Sequence, residues 1–597
     1  LRTRRQRQMC IRDSYWRVWR SMVFACVLMI GGIAVGHAEN CKADEPVRPN
    51  ILFIAMDDLN DWIGVMGGHP QSLTPQLDRL AESSVLFTNA HCVAPACNPS
   101  RTAIFTGRSP HRSGLYDNRQ RMRDVLPEAK LLPKVLSEHG YYSAGSGKML
   151  HYFIDAPSWD EYFPSAETEN PFPRTYNPPN RPLNLPRAGP WQYVETDWGA
   201  IDVTDEEYGG DYLVTEWVAE QLQQKHDRPF FLACGIYRPH EPWFVPAEYF
   251  EPFPLDKIQI PPGYRINDLE DLPPQGKRRG PNRYFEHIQE QGQWKRAIQA
   301  YLASVHYADA MLGRVLDALE ASPNGDQTIV VLWSDHGWHL GEKEHWQKYT
   351  PWRACTRVPL MISVPSGAPG LTSGTRPELC SKPVSLLSLF PTLLQLSGLP
   401  SRKEHDGPSL IPLLKNPDAD WPHAAVTYLA DPGSYSVSGE EMRLIHYSNG
   451  EEELYDIRAD PYEWDNLATD IRFEAQRDML RRFAPSEFAE KPEATLESLT
   501  LLDWHPAKDL EIPPSRPDGS PFDVFFINCR PEPVKLFWMD REGRPKFYAD
   551  LSQDQPHRQQ TRPGAVWCIQ DGGGKVMGYF RVDDRSARAI VPKTSNE

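Results

Sequence analysis

The residues able to do chemistry follow directly on short apolar runs. Asp57 and Asp58 follow Asn50–Met56, and Lys148 and His151 follow Tyr141–Gly147. His240 lies just beyond Phe230–Gly235, and Asp335 and His336 follow Thr328–Ser334. Three carboxylates and an imidazole are a donor set suited to a hard divalent cation, and such an ion polarises an ester oxygen. Cys97 precedes Asn98-Pro99-Ser100-Arg101. Pro99 suits the first turn of a helix, so Cys97 is expected at a helix start, where backbone N–H groups and the helix dipole favour negative charge. Taken singly, an Asp-Asp pair also suits a turn or a cap, Cys97 a core position and the lysines the surface.

These side chains need a scaffold, and the pattern of the chain supplies one. The four apolar runs alternate with helical patterns at Gln76–Ser84, Leu131–His139, Gly210–His226 and Trp294–Ala321. Continuous apolar strands alternating with helices predict an α/β fold, a mostly parallel sheet covered on both faces. In such sheets ligands bind beyond the carboxyl ends of the strands, so four strands deliver polar residues to one edge. The Pro-rich segments Asn170–Pro190 and Pro252–Pro281 read as long loops over that edge. From 416 to 485 the pattern predicts a small α+β subdomain with strands at Ala424–Leu429, Met442–Tyr447 and Glu453–Ile457 and a helix at Asp470–Phe483. Residues 486–520 read as a linker. From 521 to 593 strand-and-turn patterning predicts an appended all-β sandwich.

A chain of 597 residues is too long for one core. Its net charge of −16 argues against a nucleic-acid partner and requires a locally positive pocket for any anionic substrate. Residues 1–38 read as an export leader: Arg17 and Arg20 precede the apolar run Met22–Val35, and Gly36-His37-Ala38 suits cleavage. Met22 or Met9 is the expected start. The run is shorter than the roughly 20 residues a spanning helix needs, so no stable membrane span is expected. Of ten cysteines, Cys10 and Cys26 fall in the leader, and no C-x-x-C pair points to zinc or thioredoxin chemistry.

The segment Cys97-Asn98-Pro99-Ser100-Arg101-Thr102-Ala103-Ile104-Phe105-Thr106-Gly107 matches the sulfatase signature C-x-P-S-R-x-x-x-L/F-T-G at every defined position. The chain resembles that family over about Arg48 to Ala468, nearest its iduronate-2-sulfatase branch, through GYYSAGSGKMLH, FFLACGIYRPHEPW, SDHGWHLGEKEHWQKYTPWRACTRVPLMISVP and ELYDIRADPYEWDNLA. The resemblance implies an alkaline-phosphatase-like catalytic domain over 46–415 that hydrolyses sulfate monoesters of carbohydrates. It implies oxidation of Cys97 to formylglycine by a maturation enzyme, with one oxygen of the hydrated aldehyde attacking sulfur and the other hydroxyl later expelling sulfate. A plain thiol or hydroxyl would end as a stable sulfated enzyme. The implied cation is Ca2+, with Mg2+ as the alternative, held by Asp57, Asp58, Cys97, Asp335 and His336. His336 stands where many sulfatases carry Asn. Arg101 would stabilise formylglycine, Lys148 and Lys348 hold sulfate oxygens, His151 stand near the diol and His240 protonate the leaving alcohol. A periplasmic or extracellular location follows from the leader.

Phe522–Pro592 resembles the β-domain of the von Hippel–Lindau tumour suppressor through FFINC-x-P-x-P-V-K-L-F-W, Tyr548 and Trp567. Tyr548, Thr561 and Trp567 fall at or near that family's peptide-pocket positions, but Ala565 stands where a histidine is expected; a structural or glycan-docking role is the favoured expectation, and the partner is open. Two alternative activities remain at this stage: a phosphonate or phosphate monoester hydrolase of the same fold, and an extracellular binding protein unconverted at Cys97.

Overall fold

The computed structural model describes residues 48–597 apart from 166–169, 177–183, 186–195, 493–494, 508–511, 516, 518–521, 563, 584–585 and 594–597. The leader read over 1–38 lies outside the described residues, as do parts of the 170–190 loop and of the 486–520 segment.

Eight strands form the central sheet: β1 (Asn50–Met56), β2 (Val85–Phe87), β3 (Tyr142–Gly147), β4 (Glu161–Phe163), β5 (Phe230–Ile236), β6 (Thr328–Ser334), β7 (Leu360–Ser363) and β8 (Glu378–Cys380). Their order is β8-β2-β7-β6-β1-β5-β3-β4. β1 is central and parallel to both β5 and β6; β3 is parallel to β5 and β4. Only β7 breaks the parallel run, pairing antiparallel with β6 and β2.

Five helices matter for the site: α1 (Pro75–Ala81), α2 (Cys97–Thr106), α3 (Leu132–Glu138), α4 (Asp211–Gln223) and α5 (Trp294–Glu320). The period-2 alternation of β1 explains how they are held. Ile51, Phe53 and Ala55 face a core containing Ile104 and Phe105 of α2 and Val135 and Leu136 of α3. Leu52, Ile54 and Met56 face the opposite core, with Leu77 of α1, Val214 and Val218 of α4 and Leu302 and Leu312 of α5. Each such buried aliphatic or aromatic side chain contributes about 1.5–3 kcal/mol. The strand is therefore clamped from both faces, and its carboxyl end is a rigid platform. The expected parallel sheet with two covered faces is the architecture observed.

Four antiparallel strands, β9 (Ala425–Tyr428), β10 (Tyr435–Ser438), β11 (Met442–His446) and β12 (Glu452–Asp456), build the next unit. Helix α6 (Glu474–Arg481) covers them through Leu480, packed with Val437, Leu444 and Leu454. β10 is absent from the sequence expectation, because Tyr-Ser-Val-Ser offers one aliphatic residue to an alternation test. Arg443 of β11 is fully buried; it pairs with Glu463 and donates to the Pro351 carbonyl, which joins this sheet to the unit built on the central sheet.

Beyond it lie β13 (Thr500–Leu501), β14 (Trp504–Pro506), β15 (Phe522–Asn528), β16 (Val534–Met539), β17 (Pro545–Leu551), β18 (His557–Thr561), β19 (Val566–Gln570), β20 (Val576–Arg581) and β21 (Ala587–Val591). They form two sheets, β13-β21-β15-β18 and β14-β20-β19-β16-β17, around a shared core of Val524, Phe526, Leu536, Trp567, Ile569 and Phe580. The reading of 486–520 as linker needs correction: β13 pairs with β21 and β14 with β20, so this segment adds an edge strand to each sheet. Strands of two or three residues carry no alternation to detect. Trp567 Nε1 donates to Thr561 Oγ1 at 2.9 Å, and the Tyr548 ring meets Trp567 edge-on with centroids 4.9 Å apart.

Among the described residues Cys92, Cys97, Cys234, Cys355, Cys380, Cys529 and Cys568 are all free, and no helix is long and apolar enough to cross a membrane.

Candidate active site

The carboxyl ends of β1, β3, β5 and β6 and the first residue of α2 meet at one point. Asp57 and Asp58 leave β1, with Asp58 in the left-handed region at φ 63°. Cys97 opens α2 after Ala96 in extended conformation. Asp57, Asp58, Cys97, Arg101, Lys148, Asp335 and His336 are completely buried, and Lys348 and His240 are nearly so.

The Cys97 sulfur is surrounded by nitrogen. Lys348 Nζ lies 3.1 Å away, His336 Nε2 3.3 Å and Lys148 Nζ 3.6 Å. Arg101, one helical turn after Cys97 and so on the same face, reaches beneath the sulfur. Its Nη2 contacts Asp57 Oδ1 at 3.0 Å, its Nε contacts Asp335 Oδ2 at 2.7 Å, and its Nη1 donates to the Lys148 carbonyl. Lys148 Nζ pairs with Asp57 Oδ2, and Lys348 Nζ with Asp58 Oδ1 at 2.9 Å. Serines fix the strand ends: Ser100 Oγ donates to the Asp335 carbonyl at 2.7 Å, and Ser334 Oγ accepts from the Leu59 N–H at 3.0 Å.

One oxygen of Asp57 and of Asp58, the Cys97 sulfur and a nitrogen of His336 lie within 4.8 Å of one another. That set mixes hard and borderline donors around a point from which water is excluded. Asp58 Oδ2 is buried without a hydrogen-bond partner, and His240 Nε2 at 3.6 Å is beyond hydrogen-bond reach. An orphaned buried carboxylate oxygen is expensive unless a cation meets it, so the residues fit a divalent ion. Asp335 stands outside this set of four. Its Oδ1 accepts from the Asp58 and His336 N–H groups at 3.2 and 3.1 Å, and its Oδ2 is taken by Arg101.

The electrostatics follow from this crowding. Burial alone pushes the Cys97 thiol up, but Lys148, Lys348 and His336 pull it well below its usual range, so position 97 favours negative charge. Burial opposes the charge on Lys348, and Asp58 outweighs it, raising the ammonium well above its ordinary value. Burial lowers His336, yet Asp335 and Cys97 hold it up at about 9. His240 is raised by Asp58 against its own burial, and its Nδ1 donates to the Glu241 carbonyl at 2.6 Å, which leaves Nε2 facing the site. His151 is lowered by burial.

All the site residues expected from the sequence are therefore brought together. Sequence reasoning missed the aromatic side chains among them. Lys148 Nζ sits 4.7 Å from the Tyr152 ring centroid and 5.3 Å from that of Tyr237, and Lys348 Nζ sits 5.5 Å from Trp338. The only signal was proximity: Tyr152 follows His151, and Tyr237 precedes His240 by three residues. Both loops read as coverings border the site. Phe172 meets Tyr152 and Tyr237 with centroids 5.1 and 5.2 Å apart, and Arg279 Nη1 donates to the Tyr349 carbonyl beside Lys348 at 3.0 Å.

Known sulfatases resemble the chain in sequence, and sulfatases and phosphonate monoester hydrolases resemble it in fold. The family described as Sulfatase matches residues 49–399, and that described as N-sulphoglucosamine sulphohydrolase, C-terminal, matches 341–485. A sulfatase of Formosa agariphila is 38% identical over 464 residues, 75% of this chain and 89% of its own length. Iduronate 2-sulfatase of Mus musculus is 31% identical over 429 residues, 64% of this chain and 74% of its own. The solved structure of BT4656 with its substrate D-glucosamine-2-N,6-O-disulfate has the same fold, with a TM-score of 0.55 at 22% identity, covering 73% of this chain and 96% of that one.

Proposed function

The chain belongs to the sulfatase family, hydrolases of sulfate esters, and from that premise we propose that it removes sulfate from a sulfated carbohydrate, as an iduronate-2-sulfatase-like enzyme, with its nucleophile made from Cys97. The observation carrying this reading is a completely buried sulfur with two lysine ammoniums and an imidazole nitrogen within 3.6 Å. A monoanionic sulfate ester entering that space meets fixed cations and no competing water, and charge developing in the transition state gains most in such a pocket.

Asp57, Asp58, His336 and position 97 would hold a divalent cation, which would supply polarisation of a sulfate oxygen, and formylglycine at position 97 would supply a diol oxygen for attack on sulfur; Asp335 orients that set from behind. Lys148 and Lys348 hold the remaining sulfate oxygens. Lys148 and Arg101 hold Asp57 below the usual carboxylate range against its burial, while burial outweighs Arg101 at Asp335 and raises it to about 6. As the sulfur–oxygen bond to the sugar breaks, the alkoxide takes a proton from His240 Nε2, which faces the site because Nδ1 is held by the Glu241 carbonyl. His151 stands against position 97, placed to accept a proton there when sulfate is expelled. Basic residues before the Met22–Val35 run support export to the periplasm or exterior, and a maturation enzyme is implied as a partner.

Steady-state turnover tests the reading. Aryl sulfate should be hydrolysed with a higher kcat/KM than aryl phosphate, and Cys97→Ala should lose about a thousandfold or more. Preference for the phosphate, or full activity in Cys97→Ala, overturns it.

A further inference from the structure

Above the charged floor of the site stands a wall of neutral aromatic rings that the chemistry at sulfur does not require. Tyr152, Phe172 and Tyr237 are each half-buried, whereas Asp57, Asp58, Cys97, Lys148 and His336 below them are closed off completely. They come from three separate segments and are locked together. The two tyrosine hydroxyls hydrogen-bond at 3.1 Å, Phe172 meets both rings edge-on, and Tyr237 stacks on His240 with centroids 4.8 Å apart at 29°. Tyr152 also meets His151 edge-on at 4.7 Å. The wall thus lies between the two histidines that serve the sulfate and the leaving group. Tyr152 holds this place at φ 58°, a conformation that costs a non-glycine residue about 1–3 kcal/mol and persists where its surroundings over-determine it.

Resting on the sulfatase reading above, we propose that Tyr152, braced by Tyr237 and Phe172, is the specificity wall of the leaving-group subsite and takes the apolar face of a sugar ring. A sulfate anchored on Lys148 and Lys348 must carry its alcohol outward past these rings, and a pyranose presents C–H groups to them. An aromatic wall also suits a quaternary ammonium. Here, however, the Lys148 ammonium already lies against both tyrosine rings, at 4.7 and 5.3 Å. A second cation would be repelled by it at short range, so a neutral ring is favoured over a choline-like group.

The test is equilibrium binding to the cation-loaded full chain, by calorimetry, for a set of 2-O-, 4-O- and 6-O-sulfated monosaccharides beside ethyl sulfate and choline sulfate. At least one sulfated sugar should bind about tenfold more tightly than ethyl sulfate, and choline sulfate no more tightly than ethyl sulfate. Tyr152→Leu should weaken the sugar at least fivefold more than it weakens ethyl sulfate, which erases the sugar's margin; Tyr152→Phe, which keeps the ring, should retain it. Absence of any margin in the wild type, a margin surviving in Tyr152→Leu, an equal loss for sugar and ethyl sulfate, or tighter binding of choline sulfate each overturns the proposal. Failure of the sulfatase reading is seen separately, as absence of sulfate-ester turnover by the wild type.

Discussion

The Gln347 side-chain amide donates to the Glu241 carboxylate over 2.8 Å, which ties the loop carrying Lys348 to the loop carrying His240. Gln347 also reaches Thr196 Oγ1 at 3.2 Å, and both Gln347 and Tyr349 have positive φ, 82° and 74°, so Lys348 sits between two constrained neighbours. Gln347→Ala leaves the buried Glu241 carboxylate short of a donor. The expected result is a loss of about 1–3 kcal/mol of stability and a kcat reduced about tenfold or more through misplacement of Lys348, with less change in KM. Thermal melting and steady-state kinetics of the variant read both.

Arg101 is the cation that contacts both buried carboxylates, Asp57 and Asp335. Arg101→Met removes it and leaves Asp57 to Lys148 and Asp335 to His336 alone, a loss of about 3–5 kcal/mol. Arg101→Lys keeps the charge but cannot serve both acids and the Lys148 carbonyl together, so it should fall between. Urea midpoints of the three proteins give the order; equal midpoints for Arg101 and Arg101→Met contradict this role.

Chelation should destabilise the chain as well as silence it. A cation held at a hundred times its dissociation constant contributes about 2.7 kcal/mol. EDTA is therefore expected to lower Tm by a few degrees, with Ca2+ or Mg2+ restoring it. In Asp58→Ala, which loses the orphaned oxygen, Tm should no longer respond to either treatment.

The C-terminal subdomain carries its own pH dependence. Burial alone would push the Glu452 carboxyl up, but hydrogen bonds from His446 at 3.0 Å and Arg481 at 2.8 Å outweigh it and bring it to about 2. A carboxyl lowered on folding stabilises the native state above its ordinary value of 4.5 and loses that contribution as pH falls toward 2. The Tm gap between wild type and Glu452→Gln should accordingly be full at pH 6 and shrink steadily from pH 4.5 to pH 3.

The catalytic fold was legible where each strand obeys one rule. Asn50–Met56, Phe230–Gly235 and Thr328–Ser334 are continuously apolar because both faces are covered; Asp57 and Asp335 follow the first and third at once, and His240 comes five residues after the second. What escaped was of two kinds. β10, β13 and β14 are short, and neighbours rather than their own residues hold them in register. In the site, Cys97 and Arg101 were readable because their spacing lies within one segment, and the acids because they directly follow apolar strands, whereas the contacts of Lys148 with Tyr152 and Tyr237, or of Gln347 with Glu241, exist only after distant loops meet. The position of Asp335 behind the other ligands was likewise invisible, since it depends on Arg101 reaching across from α2.

The central claim is that position 97 works as an aldehyde rather than a thiol. Mass spectrometry of the tryptic peptide Leu80–Arg101, from active protein made in cells that contain a maturation enzyme, reads it directly. The account predicts an aldehyde mass at Cys97 that reacts with a hydrazide and rises in proportion to specific activity; a fully active preparation in which Cys97 is wholly an unmodified thiol contradicts it.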